Sequence, residues 1–86
     1  VTSLPILSNG RIGPASDSIK HTGQLGPNTA RQEAPHAHMI LPDRRGRFVL
    51  ANDLGLDSTF IYDLDPNNGK LNARGEQKSV PGAGPR

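Results

Sequence analysis

Strong turn signals recur along this chain and leave only short segments between them. The clearest are residues 8–10, 42–46, 53–57 and 65–69. Gly and Asn tolerate the positive φ of tight hairpin turns, and Asp and Pro favour the other turn positions. The segments between the turns are short and lack helical periodicity, and residues 58–64 are rich in β-branched and aromatic residues, which favours strands over helices. The chain is therefore predicted to be all-β.

Six strands are expected from the positions of these turns. They lie near residues 1–7, 12–20, 37–41, 47–52, 58–64 and 71–79. Strands that follow one another through tight turns pair in the antiparallel sense. Residues 22–35 instead combine Gly, Pro, Asn and charged residues without apolar periodicity, which predicts a long exposed loop. A loop of this length is often functional.

The segment 36–80 has the pattern of one blade of a β-propeller. Four strands follow one another, and the inner ones are apolar while the last is polar, as in a blade whose outer strand faces solvent. Residues 1–21 are then expected to supply the last two strands of one blade, and residues 22–35 the long loop. Residues 36–80 form one complete four-stranded blade, and residues 81–86 lead into the next. A loose internal repeat between residues 5–12 and 63–71 agrees with successive blades.

The hydrophobic core of such a chain is expected to be small. Hydrophobic residues make up 33% of the sequence, the only aromatic residues are Phe48, Phe60 and Tyr62, and Cys is absent. Such a chain cannot cover both faces of its sheet, so we expect it to associate with remaining propeller segments or with copies of itself. The net charge of +2 is spread along the chain, and no apolar run is long enough to span a membrane. Neither nucleic acid nor a membrane is an expected partner.

Four segments carry a resemblance to a known family. They are residues 26–32 (GPNTARQ), 35–38 (PHAH), 46–57 (GRFVLANDLGLD) and 81–86 (PGAGPR). Together they resemble the lactonase family of seven-bladed β-propellers, which contains bacterial 6-phosphogluconolactonases and the fungal carboxy-cis,cis-muconate cyclase. Members of this family are much longer than this chain, so the resemblance implies a fragment with roughly two of the blades.

The resemblance also implies a function. It implies a sugar-lactone hydrolase of the 6-phosphogluconolactonase type, which acts on a sugar-phosphate lactone in the oxidative pentose phosphate route, in the cytoplasm and without a cofactor. His36 and Arg86 match positions in the family's active-site motifs. The acidic residue that completes the family's site lies beyond Arg86, so the 86 residues alone are expected to be inactive. Water is the expected nucleophile, because the chain has no Cys and no Gly-x-Ser-x-Gly motif.

The candidate residues suit this chemistry by type and spacing. His36 and His38 are two residues apart at the start of a predicted strand, so both side chains are expected to face the same way. Neutral imidazole takes a proton from water near pH 7, and the guanidinium of Arg86 can stabilise the developing oxyanion. His36 and Arg86 are the candidate catalytic residues, and His38, Arg31 and Glu33 are the candidate substrate-binding residues. We expect His36 and Arg86 to lie within about 12 Å of each other in one pocket, rimmed by the long loop.

These residues also have non-catalytic interpretations. His36 and His38 can act as metal ligands if His21 or Glu33 completes the set, although no metal site is predicted. Arg31 can be a solvated charge that pairs with Glu33 at the surface.

Two alternative functions stay open for the whole chain. A propeller can be a binding scaffold without chemistry, and a muconate-type cyclase or isomerase would use the same His and Arg. Asp53 and Asp57 bracket a tight reversal, where Asp commonly caps its own backbone, and a structural role is predicted for both.

Overall fold

The computed structural model describes residues 1–86 and contains strands, turns and loops but no helix. The six strands are β1 Thr2–Ser3, β2 Asp17–Ser18, β3 Ala37–Pro42, β4 Phe48–Asp53, β5 Ser58–Leu64 and β6 Leu71–Lys78. The prediction of an all-β fold is confirmed. The structure contains no helix long and apolar enough to span a membrane.

Strands β3 to β6 form one four-stranded antiparallel sheet in the order β3-β4-β5-β6. Each strand pairs with its neighbour in the sequence through a tight turn, because Asp, Asn and Gly occupy the turns. At the β3–β4 turn, Asp43 Oδ1 accepts the amide hydrogens of Arg47 and Phe48 at 2.6 and 3.0 Å. Gly46 supplies the left-handed φ of 66° at the same turn. The four predicted strands agree with the observed ones to within one residue at each end.

The N-terminal ribbon, residues 1–20, is less regular than the sequence pattern predicts. Continuous strands over 1–7 and 12–20 are wrong: β1 and β2 have two residues each, and beyond them there is one isolated bridge between Ile6 and Ile12. Pro5 and Pro14 have no amide hydrogen to donate, so they interrupt a regular ladder.

A small core joins this ribbon to the sheet. Val49 and Ala51 of β4, Tyr62 of β5 and Leu71 of β6 form the buried cluster, and parts of the ribbon pack against it. The edge strand β3 is different, because each of its residues is exposed, including Ile40 at 52%. The core therefore lies on the other three strands, while β3 presents apolar side chains to solvent.

The loops that carry the candidate residues gather at one end of the sheet. Because the strands alternate in direction, Ala37, Asp53, Ser58 and Lys78 are paired across the sheet at the same end. We call this the upper end, and the turns after β3 and β5 lie at the lower end. The long loop before β3, the reversal between β4 and β5, and the segment after β6 all meet at the upper end.

Candidate functional site

The reversal at residues 53–57 is the centre of the upper end, and the carboxylate of Asp53 is fully buried within it. Asp53 Oδ1 accepts the amide hydrogens of His36 at 2.8 Å and of Leu56 at 3.2 Å. Its Oδ2 lies 2.8 Å from Nδ1 of His21. Asp53 therefore caps its own turn, as predicted, and it also fixes the backbone at the entrance to β3.

Asp57 holds segments that are distant in the sequence. Its Oδ1 accepts hydrogen bonds from the amide of Gly84 and from Nε2 of Gln32, both at 2.8 Å. Its Oδ2 accepts the amide hydrogen of Gly82 at 2.7 Å. The hydrogen bonds from Gly84 and Gly82 lower the pKa of the Asp57 carboxyl below its usual value. Asp57 thus has the structural role predicted for it, but its carboxylate holds these other segments instead of capping its own turn.

The long loop packs directly on this reversal. A Cβ on Gly55 would overlap the carbonyl oxygen of Ala34, so only Gly fits there. The amide of Gly26 donates to the carbonyl oxygen of Gly55 at 2.9 Å. Gln32 is 2% exposed and donates to the carbonyl oxygen of Leu54 at 2.8 Å. The loop is exposed along most of its length, as predicted, and these contacts anchor it to the reversal.

His36 and Glu33 form a hydrogen-bonded pair at the end of this loop. His36 Nε2 lies 2.8 Å from Glu33 Oε1, and their side chains are 43% and 57% exposed. The amide of Glu33 itself and the His36 imidazole lower the pKa of the Glu33 carboxyl. An ionised carboxylate only accepts hydrogen bonds, so in the neutral ring Nε2 carries the hydrogen and Nδ1 carries the free lone pair. Glu33 therefore pairs with His36, and the pairing with Arg31 that the sequence allowed is not found.

Two adjoining hollows contain the candidate residues. The first has a volume of about 400 Å³ and is lined by Arg31, Glu33, His36 and His38, together with three apolar residues. A neighbouring, smaller hollow is lined by Arg86, and Arg31 borders both. A register shift of the β3–β4 pairing falls between Ala37 and Met39, so His38 lies in a bulge. The carbonyl oxygen of Arg86 accepts a hydrogen bond from Asn52 at 2.8 Å.

The structure does not bring His21 together with His36 and His38 as metal ligands. No group of three or more His, Cys, Asp or Glu side chains is gathered in a way that could hold a metal ion. His21 is buried against Asp53 and stacks on Phe60 with ring centroids 4.0 Å apart. Its Nε2 has no hydrogen-bond partner.

Comparison with known proteins decides the family. The model of the family described as Lactonase, 7-bladed beta-propeller matches residues 1–86, the whole chain. The chain belongs to this lactonase family. Its four-stranded sheet has the strand order of a propeller blade, in agreement with the match.

Individual relatives agree with this result. The chain is 37% identical over 83 residues to a Bacillus subtilis (strain 168) protein named 6-phosphogluconolactonase, covering 96% of this chain and 23% of that protein. It is 37% identical over 78 residues to an Arthroderma benhamiae protein named "Probable 6-phosphogluconolactonase", covering 91% of this chain and 20% of that protein. A solved structure from Bacteroides fragilis NCTC 9343, described as a candidate 6-phosphogluconolactonase, superposes with a TM-score of 0.87 at 36% identity. That comparison covers 99% of this chain and 26% of the other, so this lactonase-family chain spans about a quarter of the length of such relatives.

Two residues of the upper end were missed by sequence reasoning about function. The sequence pattern indicated only a loop position for Gln32 and an additional metal ligand for His21. Both side chains are buried and hydrogen-bonded to the reversal. No local pattern marks them, because their partners Asp53 and Asp57 are far away along the chain.

Proposed function

We propose that the protein carrying these residues hydrolyses the ring ester of a sugar-phosphate lactone, in the manner of a 6-phosphogluconolactonase. One observation carries the proposal. The carboxylate-paired imidazole of His36 shares a hollow with Arg31, in a chain 37% identical to a Bacillus subtilis protein named 6-phosphogluconolactonase. The volume of that hollow, about 400 Å³, falls within the range of small-molecule sites.

His36 is the proposed general base. Since Glu33 accepts the hydrogen on Nε2, the lone pair of Nδ1 is free to take a proton from water. The water oxygen bonds to the lactone carbonyl carbon while Nδ1 takes the proton. The ring C–O bond then breaks, and the proton on the imidazolium passes to the leaving ring oxygen, which becomes a hydroxyl. The product is the open-chain sugar acid.

The two arginines are proposed to stabilise the negative charges of the oxyanion and of the phosphate. Arg86 donates to the oxyanion that forms on the carbonyl oxygen, where fixed donors contribute most. Arg31 borders both hollows, and its planar guanidinium is suited to hold the phosphate. His38 lines the same hollow as His36 and is proposed to donate a hydrogen bond to the substrate. Glu33 orients His36 and lies where a sugar hydroxyl can donate to it.

The test measures lactone hydrolysis by the full polypeptide that carries these residues. Acid release from 6-phosphogluconolactone is followed and corrected for spontaneous hydrolysis, with unphosphorylated gluconolactone as the comparison substrate. We expect His36→Ala to lower kcat by about 10²- to 10⁴-fold, the usual contribution of a positioned base. Arg31→Ala should raise KM for the phosphorylated lactone and leave the unphosphorylated one nearly unaffected.

His38→Ala is the matched control for the base. It removes a second imidazole from the same hollow, so it should raise KM with little change in kcat. Equal losses of kcat in the His36 and His38 variants would contradict the assignment of the base. No turnover above the spontaneous rate would contradict the hydrolase proposal and favour a binding scaffold.

A further inference from the structure

Both halves of the candidate site are hydrogen-bonded to one buried reversal, residues 53–57. The half with the candidate base is held by Asp53, whose Oδ1 accepts the amide hydrogen of His36 at 2.8 Å. The half with the candidate arginine is held by Asp57, which accepts the amide hydrogens at residues 82 and 84 at 2.7 and 2.8 Å. Arg86 follows two residues later. The placement of the base relative to the arginine therefore depends on two neighbouring carboxylates.

Neither carboxylate is placed to act on a substrate in the two hollows of the candidate site. Asp53 and Asp57 are 0% and 5% exposed. Neither lines the hollow that contains His36 or the hollow that contains Arg86. Any effect of these two residues on the reaction must pass through the backbone segments they hold.

We propose that Asp53 and Asp57 are positioning residues that set His36 and Arg86 relative to each other, with His21 supporting Asp53. This inference rests on the proposed function and deepens it, because it assigns the geometry of that site to residues outside the hollows. Each carboxylate serves a different half of the site. Loss of either carboxylate should therefore act on the chemical step, through the base His36 for Asp53 and through the oxyanion donor Arg86 for Asp57.

The hydrogen-bond partners explain why the two positions should respond differently to Asn. At Asp57 all three partners are donors, from residues 32, 82 and 84, so the NH₂ of Asn would face an N–H group. At Asp53, Oδ1 accepts from two amides while Oδ2 faces the imidazole of His21. That ring can carry its hydrogen on Nε2 instead and accept from Asn at Nδ1. Asn at 53 can thus keep the bond to His36, whereas Asn at 57 loses at least one bond.

The experiment measures kcat and KM for 6-phosphogluconolactone in the full polypeptide that carries these residues. We expect Asp53→Ala to lower kcat by about 10- to 100-fold with little change in KM, since a small misplacement of a base has effects of this size. Asp53→Asn should restore most of the lost kcat. Asp57→Asn should lower kcat about tenfold with a smaller effect on KM, because the segment that leads to Arg86, the proposed oxyanion donor, is loosened.

Asp43→Ala is the matched control for loss of a turn cap. Asp43 caps the β3–β4 turn at the lower end with two amide hydrogen bonds, so its removal should lower stability without changing kcat or KM. If Asp53→Ala does not fold, Asp53→Ser takes its place. Ser keeps a hydroxyl acceptor at this position but removes the carboxylate that joins the amide of His36 to the imidazole of His21.

Amide hydrogen exchange in the same proteins separates the two proposals. Exchange should quicken about tenfold or more at His36 in the Asp53→Ala protein, and at Gly82 and Gly84 in the Asp57→Asn protein. If the wild type hydrolyses no lactone, the proposed function fails, and unchanged exchange at these amides would overturn the positioning as well. An active wild type whose Asp53→Ala and Asp57→Asn variants keep its kcat and KM would overturn the positioning alone.

Discussion

Replacing Gly55 by Ala tests how tightly the long loop packs on the reversal at residues 53–57. A Cβ at this position would overlap the carbonyl oxygen of Ala34 and lie 2.8 Å from its carbonyl carbon and 3.0 Å from Cα of Pro35. All three are backbone atoms, so no side-chain rotation relieves the contact. Since carbon atoms in contact stay about 3.5–4.0 Å apart, residues 34–35 must move away by on the order of 1 Å.

This displacement should affect both stability and activity. Overpacking a well-packed site costs about 1–3 kcal/mol, and we expect a destabilisation of about 3 kcal/mol because the obstacle is backbone. The moved residues directly precede His36, and a shift of about 1 Å at a catalytic group can lower the rate about 100-fold. Urea unfolding and the lactone assay, applied to the full polypeptide that carries these residues, measure the two effects.

Gly75→Ala is the control for this substitution. Gly75 lies in β6, its backbone conformation is open to other residues, and a Cβ there would meet no atom within 4 Å. It should leave kcat and the free energy of unfolding close to wild-type values. A Gly55→Ala protein with a free energy of unfolding within about 0.5 kcal/mol of wild type and unchanged kcat would refute the reasoning.

Three further predictions concern stability and association. Burial, and after it the charges of Asp53 and Glu76, raises the pKa of Tyr62 above its ordinary 10.0, so the folded state holds this proton more tightly. Stability should therefore fall as the pH rises above 10.0, measured by urea unfolding, and phenolate absorbance follows the titration of Tyr62, the one tyrosine of these 86 residues. The amides of Gly84 and Gly82 hold the pKa of Asp57 below its ordinary 3.8, so its contribution to stability is present above pH 3.8 and is lost as the pH falls through the lower folded value. Urea unfolding of wild type and Asp57→Asn should converge in acid, and a constant difference down to about pH 2 would contradict this. Finally, the 86-residue chain expressed alone should self-associate through apolar side chains such as Ile40, which is 52% exposed, and sedimentation that shows a monodisperse monomer would contradict this expectation.

The sequence by itself determined the strands and turns of the sheet. The turn residues act over a few neighbours, as when Asp43 caps the amides at residues 47 and 48, so their effect is visible in the local pattern. The predicted strand 58–64 agrees with β5 for the same reason. The N-terminal ribbon departs from the predicted strands, because Pro5 and Pro14 lack the amide hydrogens that a regular ladder needs.

The tertiary structure alone decided how the upper end is held together. The bonds of His21 to Asp53 and of Gln32 to Asp57 join residues 32 and 25 positions apart, and that of Asp57 to Gly84 joins residues 27 positions apart. A buried carboxylate and a surface turn carboxylate look alike in sequence, since burial depends on which distant segments pack over them. The sequence predicted His36 and Glu33 as functional side chains, but it did not predict their hydrogen bond to each other. Only the packing of the loop on the reversal decides that they pair, because hydrogen bonds need donors and acceptors placed to within a fraction of an ångström.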